Sequence, residues 1–178
     1  AFKTTGQRCV SAERLIVHTD VYDEFKDRFV ELAASVAVGD PLDEETFMGP
    51  LADREQVGKF HQYCSIAREE GANVLVDRVD RPEAEIPDEP TDRAATAGDR
   101  GDSFADGYWV GPFVYEIDYD PDLRCLTEEV FGPHVGLVEY AGDIERATEI
   151  HNSVEYGLTG AIVSEDYREL NYFRDRAE

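Results

Sequence analysis

The chain has 178 residues, of which 42% are hydrophobic and 11% aromatic, enough apolar material for one domain with its own core and too much for whole-chain disorder. Its 40 Asp and Glu against 17 Lys and Arg give a formal charge of -23, which repels phosphate backbones and anionic membranes, so the expected partners include no nucleic acid and no membrane. So large a charge of one sign pushes the compact state apart unless salt shortens the reach of each charge, to about 3 Å near 1 M. Lysine is confined to Lys3, Lys26 and Lys59 and the other cations are Arg. The pattern suits a halophilic surface in a salt-loaded cytoplasm; an ordinary acidic protein is the plainer reading.

The cysteines, Cys9, Cys64 and Cys125, are odd in number, widely spaced and free of any CxxC pair. That argues against a disulfide framework or a zinc site and for a reducing, cytoplasmic setting. No segment approaches the roughly 20 apolar residues of a membrane span, and no basic-then-apolar leader is present. Ala1 at the start, in place of Met, suggests a longer parent chain.

In chain order, RLIVH (Arg14–His18) reads as a short buried strand. Thr19 or Asp20 then caps a helix whose apolar face is Val21, Phe25, Phe29, Leu32, Ala33 and Val36, ended by Gly39-Asp40-Pro41. After a turn at Gly49-Pro50, Asp53 caps a second helix with Val57, Phe60, Tyr63, Cys64 and Ala67 inward and Gly71 at its close. Residues 73–76 form a strand, and the alternation of strands and helices predicts an α/β fold with a largely parallel sheet flanked by helices.

Residues 77–107 are rich in acid, Pro, Gly and Ala and poor in large apolar side chains, so they read as an exposed, mobile, acidic insertion within one domain spanning 1–178. Strand character resumes in YWVGPFVYEID, a turn-rich stretch follows, and 135–140 form another strand. Asp143 caps a helix through Ile144, Ala147, Ile150 and His151; 157–164 read as a strand, and Tyr167 onward as a helix.

Cysteine reacts as thiolate, so a catalytic one needs exposure and a positive surrounding. Cys9 follows Arg8, has Lys3 nearby, and lies in a stretch, 7–13, able to form one helical turn with free N–H groups. Its own peptide N–H is a candidate oxyanion donor. Cys64 lies on an apolar helix stripe and Cys125 beside Leu126, both as small packing residues. His18, His61, His134 and His151 form no metal-binding pair and read as structural; one of them within reach of Cys9 would instead make a Cys-His thiol hydrolase. In TEEVFGP, Gly132-Pro133 stiffens a turn, Phe131 offers an aromatic face, and Glu128 and Glu129 offer carboxylates for sugar hydroxyls; by spacing alone it is a turn with surface acids.

Taken together and in order, GQRC, VGDP, MGPL, EEVFGP and YGLTGAIVSED resemble the aldehyde dehydrogenase superfamily over nearly the whole chain. The resemblance implies that Cys9 is the nucleophile, forming a thiohemiacetal that passes hydride to NAD or NADP and a thioester that water cleaves. It implies that Gln7, with Gly6, belongs to the loop before the cysteine, that Phe2 and Gln7 are substrate-pocket residues with Phe2 walling the tunnel, that Glu129 holds the nicotinamide ribose, and that Phe131 packs near the nicotinamide. The substrate so implied is a small-molecule aldehyde, with looser similarity to dehydrogenases of semialdehydes and of pyrroline-5-carboxylate. The family's coenzyme-binding domain, oxyanion Asn and water-activating Glu have no counterpart in these residues, so the chain reads as a catalytic-domain fragment truncated at both ends. Little activity is expected of it alone, and a homo-oligomer is expected of the full-length parent. A truncated remnant or assembly partner that keeps the fold without the reaction is the non-enzymatic alternative.

Overall fold

The computed structural model describes residues 1–79 and 107–178. Four strands, β1 (Arg14–His18), β2 (Asn73–Asp77), β3 (Phe113–Glu116) and β4 (His134–Tyr140), form one sheet in the order β1-β4-β3-β2. β1 runs parallel to β4, and β4 to β3, with Leu15 opposite Leu137 and Val114 opposite Val135. The largely parallel sheet expected from the alternation is present, but β2 departs from it and pairs antiparallel with β3. The first five residues of β4 are buried, as befits a central strand covered on both faces.

Alternation along the strands sorts two cores. Phe113, Tyr115 and Val138 point to the side of α2 (Arg54–Glu69), where they meet Val57, Phe60, Cys64 and Ala67. Val114, Val135 and Leu137 point to the side of α1 (Thr19–Ala34), where they meet Tyr22, Ala33 and Met48. Gly136 has no room for a side chain: a Cβ there would lie 2.8 Å from Leu126 Cδ2 and from Tyr115 Oη. Asp53 caps α2 by accepting the Gln56 N–H at 2.8 Å, and Gly71 follows with φ 93°, as the pattern required.

Three expectations change. The cap of α1 is His18, whose Nδ1 accepts the Asp20 N–H at 3.2 Å while Nε2 meets the Gly142 carbonyl at 3.1 Å; α1 ends at Ala34 with Ser35 as its cap, well before Gly39. Its inward stripe is the buried Tyr22 and Ala33 with the partly buried Phe29 and Val30, whereas Val21, Phe25 and Leu32 are 55%, 37% and 68% exposed. The polar end of β3 helps select that stripe, since Glu116 accepts from Tyr22 Oη at 2.9 Å and Lys26 Nζ at 3.0 Å. Residues 157–164 form no strand: among the described residues nothing pairs with them, and an isolated strand leaves its peptide groups without partners.

Within the acidic stretch read as an insertion, residues 80–106 lie outside the described residues. Asp77 ends β2, and Arg78 continues the ladder through its N–H to Pro112 and its carbonyl from Gly111. The turn-rich stretch after β3 contains a short helix, α3 (Arg124–Thr127). α4 (Ile144–His151), capped by Asp143 as expected, packs its His151 ring 4.9 Å from Phe173 of α5 (Tyr167–Arg176). Arg14 joins α4 to β1 by donating to the His151 carbonyl at 2.8 Å and to Ser153 Oγ at 3.0 Å.

His134 begins β4 inside an aromatic box, 5.5 Å from the Phe113 ring and 5.0 Å from Tyr115. Burial pushes its pKa from 6.5 down to about 4, against a smaller opposing pull from the Tyr63 backbone. It is therefore neutral when folded, whereas the unfolded chain takes up a proton below its ordinary pKa. The folded value lies beneath the unfolded one, so stability falls as pH drops from 6.5 towards 4, by about 3 kcal/mol in all for this group. His134→Phe should flatten that part of the profile, measured by urea denaturation in high salt at several pH values between these limits; an unchanged slope would count against the buried neutral ring.

Candidate active site

The segment before β1 is held by an unusual turn. Thr4, Thr5 and Gly6 have φ of 55°, 56° and 68°, a left-handed run that is costly for β-branched residues and needs external support. Support comes from the Gly49-Pro50 turn: the buried Thr5 Oγ1 donates to the Gly49 carbonyl at 2.9 Å, and Gln7 Oε1 accepts the Ala52 N–H at 2.9 Å. Gly6 also lies against the Gly132 carbonyl, where a Cβ would come within 2.2 Å of the oxygen. Three of the motifs read from the sequence thus meet at one place.

Beyond Gly6 the chain makes a single turn, closed by the Ser11 N–H to the Arg8 carbonyl at 2.8 Å, in place of the helical turn expected over 7–13. Cys9 sits in this turn and is exposed, whereas Cys64 and Cys125 are buried. Burial pushes the Cys64 thiol far above its ordinary value, and burial with Glu70 alongside pushes Cys125 up to about 12. Arg8 makes no ion pair among the described residues. Among the described residues, His18, His134 and His151 are engaged elsewhere than Cys9 Sγ: His18 caps α1, His134 is buried in the core, and His151 packs on Phe173.

The acidic loop begins at α3, whose first N–H groups are capped by Glu70: it accepts from Arg124 at 2.9 Å and Cys125 at 3.0 Å. Glu128 is occupied. Arg124 grips it through two bonds of 3.0 Å, and Tyr63 Oη donates to it as well. Both donors hold its carboxyl below the usual range, Arg124 more than Tyr63. Glu129, next along, is exposed and makes no hydrogen bond or ion pair among the described residues. Phe131 has φ 59°, and its N–H and that of Val130 are both accepted by Glu13, at 2.6 and 2.9 Å. Burial raises the Glu13 carboxyl, the two N–H groups pull it back, and Glu129 pushes it up again.

A cavity of about 750 Å³ opens beside β1, in the size range of small-molecule sites. Cys9, Arg8, Glu128 and Glu129 line it together, with β1 and the 156–164 stretch along its length. Of the residues singled out in the sequence, Cys9, Arg8, Glu128 and Glu129 share this cavity, and His18 and His151 line it as well. Phe2 does not line it; its ring is buried in the α1-side core, 5.9 Å from Phe29. Gln7 and Phe131 also lie outside the lining, Gln7 tying the cysteine turn to Ala52 and Phe131 shaping the loop that follows Glu129. Glu13 escaped the sequence reading altogether.

The chain belongs to the aldehyde dehydrogenase family, whose model matches residues 1–91 and 90–178. It is 37% identical over 175 residues to a 1-pyrroline-5-carboxylate dehydrogenase of Geobacillus sp. (strain WCH70), covering 98% of this chain and 29% of that protein. It is 36% identical over 177 residues to an alpha-ketoglutarate semialdehyde dehydrogenase of Haloferax volcanii, covering 99% of this chain and 32% of that protein. The fold matches the crystal structure of PnpE in complex with nicotinamide adenine dinucleotide with a TM-score of 0.80 at 33% identity, over 99% of this chain and 33% of that one. The chain thus spans about 29% of the length of the first of these relatives.

Two outcomes are expected from this geometry. Brief treatment of the native chain with iodoacetamide should alkylate Cys9 while Cys64 and Cys125 react only after denaturation, as peptide mass mapping would show. Gly6→Ala should cost about 2 kcal/mol or more, since it adds both left-handed strain and a clash with the Gly132 carbonyl; urea denaturation measures it.

Proposed function

We propose that the protein carrying this chain oxidises a small-molecule aldehyde to a carboxylic acid with NAD or NADP, and that residues 1–178 lie within its catalytic domain. In this reading the acidic insertion expected at 77–107 begins only after the ladder formed by Asp77 and Arg78, and the coenzyme-binding domain lies outside these residues. The observation that carries it is the pairing of an exposed cysteine with an unpaired carboxylate, Cys9 and Glu129, on one cavity.

Cys9 Sγ, as thiolate, attacks the aldehyde carbon; a C–S bond forms and the carbonyl electron pair moves to oxygen. The Cys9 peptide N–H has no partner among the described residues and donates to that oxygen. Arg8, one residue away and without an ion pair, favours the negative charge of both thiolate and oxyanion. The nicotinamide ring, when bound, supplies the hydride acceptor. Oxidation leaves a thioester on Cys9, and water cleaves its C–S bond to release the acid and restore the thiol.

The donor chemistry fits a dinucleotide ribose. A carboxylate with both oxygens open accepts from two vicinal hydroxyls, and Glu129 has them open where Glu128 does not. Phe2 and Phe131 act in this reading from behind the cavity wall, packing the turn and the loop that carry Cys9 and Glu129. The protein works in the cytoplasm as a homo-oligomer, and the charge of -23 on these 178 residues favours high salt for them.

The test is reduction of NAD or NADP by the full-length protein in roughly molar salt, across a panel of aldehydes and semialdehydes. Cys9→Ala should lower kcat by about a thousandfold or more with the fold retained. Glu129→Gln should raise the KM for coenzyme by about tenfold. Turnover that survives Cys9→Ala would reject the nucleophile.

A further inference from the structure

Glu13 lies between the two halves of this site, and neither its sequence position nor the family resemblance assigns it a task. It stands four residues beyond Cys9, at the foot of β1, where its own carbonyl accepts the Gly136 N–H of the central strand at 2.9 Å. The backbone of Glu13 is therefore part of the sheet. Its side chain is half-buried and reaches across 117 and 118 residues of sequence to the N–H groups of Val130 and Phe131, one oxygen to each.

Successive backbone N–H groups around a left-handed residue form a concavity suited to an anion. Here Phe131 is the left-handed residue, with φ 59°, and the anion is the chain's own carboxylate. Phe131 is not a glycine, so its backbone needs continuous support, and the shorter of the two bonds, 2.6 Å, goes to its N–H. Glu129 precedes this clamped pair directly. On the opposite side the loop is pinned by Glu128, held by Arg124 and Tyr63. Glu129 is thus the free member of a run fixed both before and after it.

We infer that Glu13 is a positioning residue: by clamping the Val130 and Phe131 amides to the foot of β1 it fixes where the Glu129 carboxylate stands relative to Cys9, and so sets the affinity for coenzyme. The inference rests on the proposed reading in which Glu129 meets the coenzyme, but the clamp itself is measurable without turnover. Glu13 lines the same cavity, but its two oxygens are each taken by one of these amides, so it acts through Glu129. Gln in its place keeps the shape but presents an N–H₂ to one of the two amides, so one bond is lost and the loop shifts.

Hydrogen exchange on the chain tests the clamp first. In the native chain the Val130 and Phe131 amides should exchange at least tenfold more slowly than in Glu13→Gln, with the β4 amides unchanged between the two. Fast exchange of both amides in the native chain overturns the inference, whether or not the variant folds. The full-length enzyme tests the consequence. Glu13→Gln should raise the coenzyme KM about fivefold with kcat within twofold, and should add nothing further in a Glu129→Gln background, because its effect passes through that carboxylate. A KM within twofold of the native value, or an equal effect in both backgrounds, overturns the positioning role while leaving the nucleophile intact; loss of the Cys9 requirement instead removes the functional reading and leaves the clamp standing on its exchange rates.

Discussion

The site depends on one close approach, the backbone of Gly6 against the carbonyl of Gly132. With no Cβ on Gly6, the turn that bears Cys9 settles directly on the loop that bears Glu129; any side chain there would sit 2.2 Å from the carbonyl oxygen. Everything near it serves to hold that contact. Thr5 ties the left-handed turn to Gly49, Gln7 ties it to Ala52, and Glu13 draws the Val130 and Phe131 amides towards β1. Two loops 126 residues apart in sequence become one wall of a cavity because their backbones touch.

The sheet supplies the rigid base for this arrangement. β4 is central, its parallel partners are β1 and β3, and the loops at issue lead into β1 and β4. Sites on loops anchored to a buried sheet are positioned by packing on both faces, here by the Val57–Phe60 side of α2 and by the Tyr22–Ala33 side of α1. Gly132 itself rests on Phe60, where a Cβ would lie 3.3 Å from that ring, so the loop has a floor in the α2-side core as well as a contact with Gly6.

Much of this was legible in the sequence, and the reasons differ by residue. The strand at Arg14–His18 and the helix behind Asp53 announce themselves by apolar periodicity and a capping side chain, and the structure keeps both. Cys9 stood out by its polar, cationic neighbours and is the exposed cysteine of the three. The face of α1 was half misread because two apolar stripes adjoin there, and only the contact of Tyr22 and Lys26 with Glu116 decides between them. The strand expected at 157–164 has the composition of a strand but no neighbour among the described residues, and composition does not reveal partners. Glu13 was invisible for a related reason: one acid among 40, its significance comes from amides 117 and 118 residues away. Likewise, EE in sequence is a symmetric pair, and only Arg124 and Tyr63 make it asymmetric by occupying Glu128.

The central claim is that covalent chemistry takes place on Cys9, at the cavity that Glu129 shares. The most direct measurement is to acid-quench the full-length enzyme during turnover of an aldehyde with excess coenzyme and to map the trapped acyl group by peptide mass spectrometry. The account predicts the acyl mass on the peptide containing Cys9 and on no other. An acyl group found on the Cys64 or Cys125 peptide, or its absence from the Cys9 peptide under conditions where coenzyme is being reduced, would contradict it.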